Sequence, residues 1–284
     1  MSSEANLENL IIDGNVINGR AIAAQLFVSL TTRAAQLPAQ PLLCDVVVGN
    51  DPVSLSYVNI KAKRARECGM EFDLLELSEL ATEAEVMQAI AEEQSKPNLC
   101  GLIVQLPLPS TLNTENILQA IGPQVDVDVI NPKTPGDFLP PTAGAIMHIL
   151  DSLPVNLAEQ KFLVLGQGDL VGKPVTKELQ KRGYNVTIAT GDTHNRVELL
   201  QAATVIICGV GKAGILTGAE VSDGVIIIDA GTSESGGSIA GDVDFETVAP
   251  KARYITPSPG GVGPVTVAKL LENTLIVAES KLRA

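Results

Sequence analysis

The chain has 284 residues, a length that favours two domains, and 45% of them are apolar, which excludes disorder over most of the length. Aromatic residues make up only 3% and Trp is absent, so the cores are aliphatic, as in parallel sheets covered by helices. Twenty basic and thirty-three acidic residues give a net charge of −13, which argues against nucleic acid or an anionic membrane as the main partner.

Targeting and metal-binding signals are absent from the sequence patterns. No apolar stretch approaches the ~18 residues needed to span a bilayer. The N-terminus, Met1–Asn6, is polar and lacks a basic region followed by an apolar one, so we expect no secretory signal. The cysteines have no paired metal spacing, and we predict reduced core thiols in a cytoplasmic protein without a bound metal: Cys44, Cys68, Cys100 and Cys208.

Strand-like and helix-like segments alternate through the first half of the chain. Strands are predicted at Leu42–Val48, Glu71–Leu77 and Leu99–Leu106. Helices are predicted at Ser56–Cys68, Thr82–Gln94 and Thr114–Ala120. Thr82 followed by Glu85 is a capping-box pattern. This β-α-β-α-β order predicts a parallel sheet with right-handed crossovers.

The alternation restarts after a proline-rich loop. Strands are predicted at Lys161–Leu165, Asn185–Thr190, Thr204–Cys208, Val225–Asp229 and Arg253–Thr256, and helices at Thr142–Leu153, Lys173–Arg182 and Val265–Leu282. We therefore predict a two-domain α/β protein: an N-terminal α/β/α lobe with a parallel sheet, and a Rossmann-type dinucleotide-binding domain. The lobe is expected to comprise residues 1–147 with 266–284, and the dinucleotide-binding domain residues 148–265.

A glycine-rich turn directly follows one predicted strand and precedes a helix. Glycines let the backbone approach a pyrophosphate, and the helix N-terminus offers it free N–H groups. A plain glycine turn is the alternative. The cofactor-binding positions predicted here and in later turns of this half are Gly166, Gln167, Gly168, Val171, Gly172, Gly209, Gly211 and Thr232.

Tyr57 and Lys61 are four residues apart on a predicted helix and can contact one substrate together. A lysine, with an ordinary pKa of ~10.4, acts as a base near neutrality only when its environment disfavours the charged form. An ordinary basic amphipathic helix is the alternative. Gln105 follows a buried strand, at the edge where open α/β sheets place ligand groups, although Pro107 and Pro109 also fit a merely stiffened loop.

Two further segments carry candidate binding groups. Strand-like alternation places the carboxylates of Asp126 and Asp128 on one side of an extended segment, unless both are solvated loop acids. The rigid, glycine-broken segment Thr256–Thr266 precedes a helix and suits close backbone contact with a ligand, with a structural turn as the alternative.

Taken in this order, the motifs resemble the methylene-tetrahydrofolate dehydrogenase/cyclohydrolase family. The resemblance is most specific at Tyr57-Val58-Asn59-Ile60-Lys61, Val104-Gln105-Leu106-Pro107-Leu108-Pro109, Gly241-Asp242-Val243-Asp244-Phe245 and Pro259-Gly260-Gly261-Val262-Gly263-Pro264. It implies an enzyme of one-carbon metabolism, usually a homodimer. Such an enzyme oxidises methylene-tetrahydrofolate with a nicotinamide cofactor to the methenyl cation and hydrolyses that cation to formyl-tetrahydrofolate.

The resemblance also implies roles for individual residues. Lys61 is expected to be the catalytic lysine, Tyr57 to stack on and position the substrate, Gln105 to be the partner of the lysine, and Asp128 to anchor the pterin ring. We expect a hydrogen bond from Gln105 to help hold Lys61 neutral. Further substrate-binding positions are expected at Pro259, Gly260, Gly261, Val262 and Pro264.

The sequence departs from the family pattern at several residues of the expected pterin and cofactor sites. Val129 and Asn131 stand where the family usually has glycine and histidine, and Gln167 where it usually has arginine. We expect Val129 to crowd the pterin pocket or to shift its loop. Because these departures fall at the pterin and cofactor sites, two alternatives remain: a cyclohydrolase that has lost the dehydrogenase step, and a non-catalytic folate- or nucleotide-binding sensor. Short-chain dehydrogenases are excluded, because in them the glycine turn precedes the Tyr-Lys pair.

The family default cofactor is NADP, but the sequence favours NAD. The predicted strand Asn185–Thr190 is followed by Asp192 and by no basic residue before His194 and Arg196. An acid about twenty residues beyond the glycine turn commonly binds the ribose hydroxyls of NAD and repels a phosphate. Thr190 and Asp192 are therefore further predicted cofactor contacts. The alternative is that His194 or Arg196 folds back onto the phosphate of NADP.

Overall fold

The structure, a computed structural model, describes residues 10–134, 138–235 and 238–283. The segment on which the expectation of no secretory signal depends, Met1–Asn6, lies outside them. Contacts divide the chain into two compact units. The seven-stranded unit comprises residues 10–24 and the described part of 142–266; the three-stranded unit comprises the described parts of 25–141 and 267–284. The predicted domain boundaries near 148 and 266 stay a prediction.

The strands are β1 (Ile11–Ile12), β2 (Val16–Ile17), β3 (Leu42–Val48), β4 (Glu71–Leu77), β5 (Leu99–Val104), β6 (Lys161–Leu165), β7 (Asn185–Ala189), β8 (Val205–Cys208), β9 (Ile226–Asp229), β10 (Ser233–Ser235), β11 (Ser238–Ala240) and β12 (Tyr254–Ile255). The helices are α1 (Gly19–Ala34), α2 (Pro52–Glu67), α3 (Glu83–Gln94), α4 (Thr114–Gln119), α5 (Pro141–Ser152), α6 (Gly172–Lys181), α7 (Arg196–Ala202), α8 (Phe245–Val248) and α9 (Val262–Lys281). Every predicted strand is present.

Capping side chains explain where the helices begin. Helix α3 begins after Thr82, which forms the predicted capping box with Glu85. Helix α2 begins four residues earlier than predicted, because Asp51 accepts a hydrogen bond from Ser54 N at 2.8 Å and Pro52 fits the first turn. Helix α1 was not predicted, although Asn18 gives a cap signal by accepting a hydrogen bond from Ala21 N at 3.1 Å.

The three-stranded unit is an α/β/α sandwich. Its parallel sheet has the order β4-β3-β5, and residue pairing between Leu102 and Asp126 extends it by one bridge. Leu43 and Val47 on β3 face a core formed with α1, α2 and α9, whereas Leu42 and Val46 face a second core formed with α3 and α4. The predicted lobe is therefore confirmed, and residues 267–281 of α9 belong to it.

The large sheet of the seven-stranded unit has the strand order β1-β2-β12-β9-β8-β6-β7; among its described strands only β1 and β2 pair antiparallel, and β10 and β11 form a separate antiparallel pair. The chain runs outward from β6 to β7 and then returns to β8 on the other side of β6. Between β6 and β8 the strand order therefore reverses, and this switch point is where doubly wound sheets bind nucleotides. The predicted Rossmann-like fold is confirmed.

Candidate active site

Helix α2 carries the predicted Tyr57 and Lys61 one turn apart. Lys61 is 92% buried, since only 8% of its surface remains accessible, whereas Tyr57 is 37% exposed. Val58 and Ala62 on the same helix pack into the core shared with β3. The Lys61 side chain is thus held against the sheet and is not part of a solvated basic face.

The ammonium of Lys61 has two partners in the three-stranded unit. Its Nζ lies 2.6 Å from Oδ2 of Asp45 and donates a hydrogen bond of 2.8 Å to Oε1 of Gln105. The Gln105 amide nitrogen donates to the Leu106 carbonyl at 2.7 Å, which fixes the orientation of the amide. The predicted Lys61–Gln105 contact is present, but its direction was predicted wrongly: Gln105 accepts from Lys61 and therefore does not stabilise a neutral amine.

Asp45 was missed in the sequence. It is fully buried in the middle of β3, on the same face as Leu43 and Val47. Burial raises the pKa of its carboxyl, and the charge and hydrogen bond of Lys61 oppose that rise. A single acid inside the apolar run Leu42–Val48 was the signal, because a strand buried on both faces has no solvated position for a charge.

Asp128 lies in the electrostatic field of the Lys61 site. Burial raises its pKa to about 6; the positive charge of Lys61 lowers it, and the charges of Asp45 and Asp126 raise it. Among the described residues, no hydrogen bond to its carboxylate is recorded. An acid near its titration range, with acceptor capacity to spare, is suited to binding a polar ring edge.

Asp126 has a different role from Asp128, although alternation had placed both on one side. Its Oδ2 accepts hydrogen bonds from Asn131 N at 2.7 Å and Thr134 Oγ1 at 2.6 Å. The buried Asn131 amide in turn donates to the Ile121 carbonyl at 2.9 Å. Asp126 and Asn131 thus close the loop that presents Asp128.

Val129, at the position of the usual family glycine, has a φ of +58°. This left-handed conformation suits glycine and is strained for a β-branched residue. The loop therefore keeps the backbone that a glycine would favour.

In the seven-stranded unit, the turns after β6 and β8 pack backbone against backbone. Gly166 has a φ of +97°, and a Cβ there would lie 2.7 Å from the Gly209 carbonyl oxygen. A Cβ on Gly172, the first residue of α6, would overlap the Gly166 carbonyl. Gln167 lies back on its own turn, where its amide nitrogen donates to Gly166 O at 2.9 Å and Thr176 Oγ1 at 3.0 Å.

Asp242 organises the turn after β8. Its carboxylate accepts hydrogen bonds from Val210 N at 2.6 Å, Lys212 N at 2.7 Å and Gly211 N at 3.2 Å. The motif around Asp242 carries part of the family resemblance, but no role was predicted for this aspartate from the sequence. Because three successive N–H groups bind one carboxylate, the turn has one defined conformation.

A second aspartate, Asp229 at the end of β9, fixes the neighbouring segment. It accepts hydrogen bonds from Gly231 N, Asp242 N and Val243 N at 2.9–3.1 Å. Burial raises its pKa to about 6, although these hydrogen bonds favour the ionised form. Thr232 follows directly, and its carbonyl lies 3.9 Å from where a Cβ on Gly211 would be.

The end of β7 presents the residues predicted to select the cofactor. Thr190 N donates to Thr193 Oγ1 at 2.9 Å, and Asp192 in this turn is exposed. The Arg196 guanidinium is engaged elsewhere: it donates to the Ile215 carbonyl at 2.6 Å and pairs with Glu220 at 3.1 Å.

The last predicted segment also lies in the seven-stranded unit, directly before α9. Gly260 has a φ of +107°, and a Cβ on Gly261 would lie 2.5 Å from the Pro257 carbonyl oxygen. A Cβ on Gly19, the first residue of α1, would overlap the Gly261 carbonyl. Pro259, Gly260 and Gly261 thus form a close-packed turn, and Val262 and Pro264 belong to the first turn of α9.

Family models match both halves of the chain. The model described as the tetrahydrofolate dehydrogenase/cyclohydrolase catalytic domain matches residues 17–128, and that of the NAD(P)-binding domain matches residues 140–282. The bifunctional protein FolD of Wolinella succinogenes is 35% identical over 278 residues, which cover 94% of this chain and 97% of that protein.

Solved structures of FolD enzymes are also similar to this chain. A FolD dehydrogenase/cyclohydrolase from Campylobacter jejuni superposes with a TM-score of 0.89 at 33% identity, covering 93% of this chain and 98% of that one. The FolD of Trypanosoma brucei, complexed with NADP and an inhibitor, gives a TM-score of 0.90 at 30% identity, covering 96% and 100%.

The chain belongs to the tetrahydrofolate dehydrogenase/cyclohydrolase family. It is a bifunctional folate enzyme of one-carbon metabolism, an NAD(P)-dependent methylenetetrahydrofolate dehydrogenase and a methenyltetrahydrofolate cyclohydrolase. This confirms the function predicted from the motifs.

Membrane-spanning helices and metal-binding clusters are both absent from the described residues. None of their helices is both long and apolar enough to cross a bilayer. In the same parts of the chain, no group of three or more His, Cys, Asp and Glu side chains is arranged to hold a metal ion.

Proposed function

We propose that the cyclohydrolase step takes place at Lys61 and that the three-stranded unit is the folate-binding, catalytic domain. The observation that carries this proposal is the buried Lys61 Nζ, held by Asp45 and Gln105 on the helix that also presents Tyr57. The hydrolysis adds water to a cationic carbon, and the water must lose a proton to a positioned base. Lys61 is the group that contacts the water and accepts its proton, and Gln105 orients the Lys61 side chain.

Substrate binding is proposed for the groups around this lysine. Tyr57 offers an exposed ring for stacking on the pterin, and the carboxylate of Asp128 accepts hydrogen bonds from its polar edge. The segment from Pro259 to Pro264, which belongs to the seven-stranded unit, is proposed separately as a further substrate contact, because its closely packed glycine backbone leaves main-chain groups accessible to a ligand.

The seven-stranded unit is proposed to bind the nicotinamide cofactor at its topological switch point. The contacts come from the turns after β6 and β8, at Gly166, Gln167, Gly168, Val171, Gly172, Gly209 and Gly211, and from Thr190, Asp192 and Thr232. Support comes from the close backbone packing of these turns and from the N-terminus of α6, which points its N–H groups along the axis to the turn.

NAD is proposed as the preferred nicotinamide. The alternative required His194 or Arg196 to reach the 2′-phosphate of NADP. Arg196 is occupied by Glu220 and the Ile215 carbonyl, whereas Asp192 is exposed at the end of β7 and would repel a phosphate.

A cytoplasmic location and a homodimeric assembly are also proposed. A cytoplasmic location is supported by four cysteines that are all free and buried. A homodimer is expected from family membership, and light scattering in solution should give twice the chain mass of 29.7 kDa.

Substitution of Lys61 tests the proposed catalytic role. Lys61→Met should lower the rate of methenyl-tetrahydrofolate hydrolysis by ~10²–10⁴-fold or more, because a positioned base contributes about that factor. Folate binding and dehydrogenase activity should be largely retained, since hydride transfer needs no base at Nζ. Lys63→Met, on the exposed face of the same helix, is the matched control. Hydrolysis by Lys61→Met at close to the wild-type rate would contradict the assignment.

The cofactor preference is tested by kcat/KM with NAD and with NADP at matched folate concentration. NAD should be favoured, and Asp192→Ser should shift the ratio toward NADP by roughly tenfold, because removing one repulsive charge is worth about 1.4 kcal/mol. Asp223→Ser, an exposed acid outside the proposed contacts, is the control. A clear NADP preference of the unchanged protein would refute the proposal, and activity with neither would indicate that only the cyclohydrolase remains.

A further inference from the structure

The buried carboxyl of Asp45 holds Lys61 in place but takes no part in the proton transfer described so far. It has no exposed surface, its Oδ2 lies 2.6 Å from Lys61 Nζ, and its Oδ1 has no hydrogen-bond partner among the described residues. A charge in a strand core is costly unless it is paired, and a hydrophobic side chain would fit this strand position better. The ion pair with Lys61 therefore needs a reason in the chemistry of that lysine.

The pair changes what Lys61 can do. A lysine that forms an ion pair is an ammonium and has no lone pair with which to accept a proton from water. Its other recorded partner, Gln105, is also an acceptor, so both contacts hold the protonated form. A mechanism in which a neutral lysine takes the proton must first remove one from this buried pair.

We propose that Asp45 is the terminal proton acceptor of the hydrolysis and acts through Lys61. This inference rests on the proposed role of Lys61. As the water oxygen bonds to the methenyl carbon, one water O–H bond breaks and its proton moves to Nζ. In the same step an N–H bond of the ammonium breaks and its proton moves to Oδ2 of Asp45.

This relay balances in atoms and charge. The cationic folate becomes a neutral hydroxyl adduct, Asp45 changes from carboxylate to carboxylic acid, and Lys61 is an ammonium before and after. No neutral lysine is required. The carboxyl releases its proton at the end of the cycle, when the product leaves.

Two further acids that interact electrostatically with each other or with the pair come from one loop. Asp126 forms the bridge beside β5 and Asp128 follows it; Lys61 lowers the pKa of Asp128, whereas Asp45 and Asp126 raise it. Asp126 is occupied by its loop hydrogen bonds, and no ion pair between Asp128 and Lys61 is recorded among the described residues. Asp45 is the carboxyl in direct contact with Nζ.

The decisive experiment is the pH profile of hydrolysis in Asp45→Asn, which keeps the shape and removes the acid. If Asp45 accepts the proton, the enzyme is inactive at low pH, where Asp45 is a carboxylic acid and Lys61 an ammonium. Activity then rises with pH as the Asp45 carboxyl loses its proton. Without the carboxyl, only a neutral lysine can serve, so the midpoint of that rise should move to higher pH by about one unit or more. The kcat should fall by ~10²-fold or more with little change in KM.

The opposite role predicts the opposite sign. If Asp45 only holds Lys61 charged and in place, its removal should favour the neutral amine and move the midpoint to lower pH. A downward or absent shift in Asp45→Asn would therefore overturn the relay. It would leave the role of Lys61 intact, provided that Lys61→Met remains inactive in hydrolysis.

Three variants keep the result interpretable. Dehydrogenase activity of Asp45→Asn reports whether the protein folds and binds folate. Asp45→Glu retains a carboxyl beside Nζ and should keep the wild-type midpoint; a midpoint like that of Asp45→Asn would contradict the relay. Asp73→Asn removes an acid from an exposed lysine pair on the neighbouring strand β4, and should leave the pH profile unchanged.

The double variant Asp45→Asn/Lys61→Met tests whether the two groups act as a unit. If they do, it should hydrolyse no more slowly than Lys61→Met alone, because residues of one relay are strongly non-additive. A further loss equal to that of Asp45→Asn by itself would show two independent contributions and would overturn the relay.

Discussion

Buried aspartates occur at both predicted sites, but the two units use them differently. In the three-stranded unit, Asp45 pairs with the ammonium of Lys61, and its other oxygen has no hydrogen-bond partner within the described parts of the chain. In the seven-stranded unit, Asp242 and Asp229 accept hydrogen bonds from six backbone N–H groups in all. The first carboxyl contacts a cation with which it could exchange a proton, whereas the other two hold backbone N–H groups in place.

The difference follows from what each step requires. Hydrolysis moves protons, so its site needs groups whose charge can change near neutral pH. Hydride transfer is the chemistry of the nicotinamide, so the protein supplies binding and orientation. Carboxylates saturated by backbone N–H groups are suited to the second task, because their hydrogen bonds define a turn without offering a proton.

Asp242→Asn should give the largest effect that separates the two sites. The amide would present a donor to the N–H groups of the turn after β8, leaving at least one of them without an acceptor, at a cost of about 1–3 kcal/mol. The Michaelis constant for the nicotinamide should rise by roughly 10- to 100-fold. Hydrolysis measured from added methenyl-tetrahydrofolate should stay near wild type.

Asp244→Asn, two residues further on, is the matched control, since the Asp244 side chain makes no cap hydrogen bond. If Asp242→Asn reduced hydrolysis and the redox step equally, the turn would not be specific to the cofactor, and the contrast between the two units would fail.

Asp128→Ala should weaken folate binding in both reactions by roughly 10- to 100-fold, since charge-assisted hydrogen bonds are worth about 1.5–3 kcal/mol. With a pKa of about 6, the Asp128 carboxyl becomes protonated as the pH falls through 6, so folate affinity should decline there. Isothermal titration at several pH values measures both effects, and Asp128→Asn should remove the pH dependence.

Asp126→Ala is the comparison for that experiment. Because the Asp126 carboxylate binds the loop backbone and Thr134, its loss should lower thermal stability more than folate affinity. The reverse pattern, with the larger binding loss at Asp126, would mean that the pterin anchor is two residues earlier in the chain.

The sequence predicts the architecture well because strand and helix periodicity are local properties. Every strand longer than three residues was predicted, whereas the two-residue strands β1 and β2 contain too few residues for any pattern. Lys61, Gln105 and the glycine turns were found through motifs. Their partners Asp45 and Asp242 were not, because the meaning of a buried acid depends on which side chain or backbone faces it in three dimensions.

Hydrogen-bond direction is also a tertiary property. Gln105 was expected to donate to Lys61, and only the bond from its amide nitrogen to the Leu106 carbonyl reveals that its oxygen faces the lysine. Val129 could be recognised in part from the sequence, because it replaces the glycine that is usual in the family. The positive φ that makes this replacement unfavourable is visible only in the folded loop.

Val129→Gly should give the smallest effect of these substitutions, and it should stabilise the protein where the others impair stability or binding. A β-branched residue with a φ of +58° is strained by about 1–2 kcal/mol, and glycine removes that strain at an entropic cost of about 0.5–1 kcal/mol. The net gain should be about 1 kcal/mol, seen as a rise of about 3 °C in the midpoint of thermal unfolding. Val129→Ala distinguishes backbone strain from side-chain crowding, since alanine keeps a Cβ at the same φ but removes both methyl groups. If Val129→Ala raised the unfolding midpoint as much as Val129→Gly, the destabilising feature of Val129 would be the bulk of its side chain and not its left-handed backbone conformation.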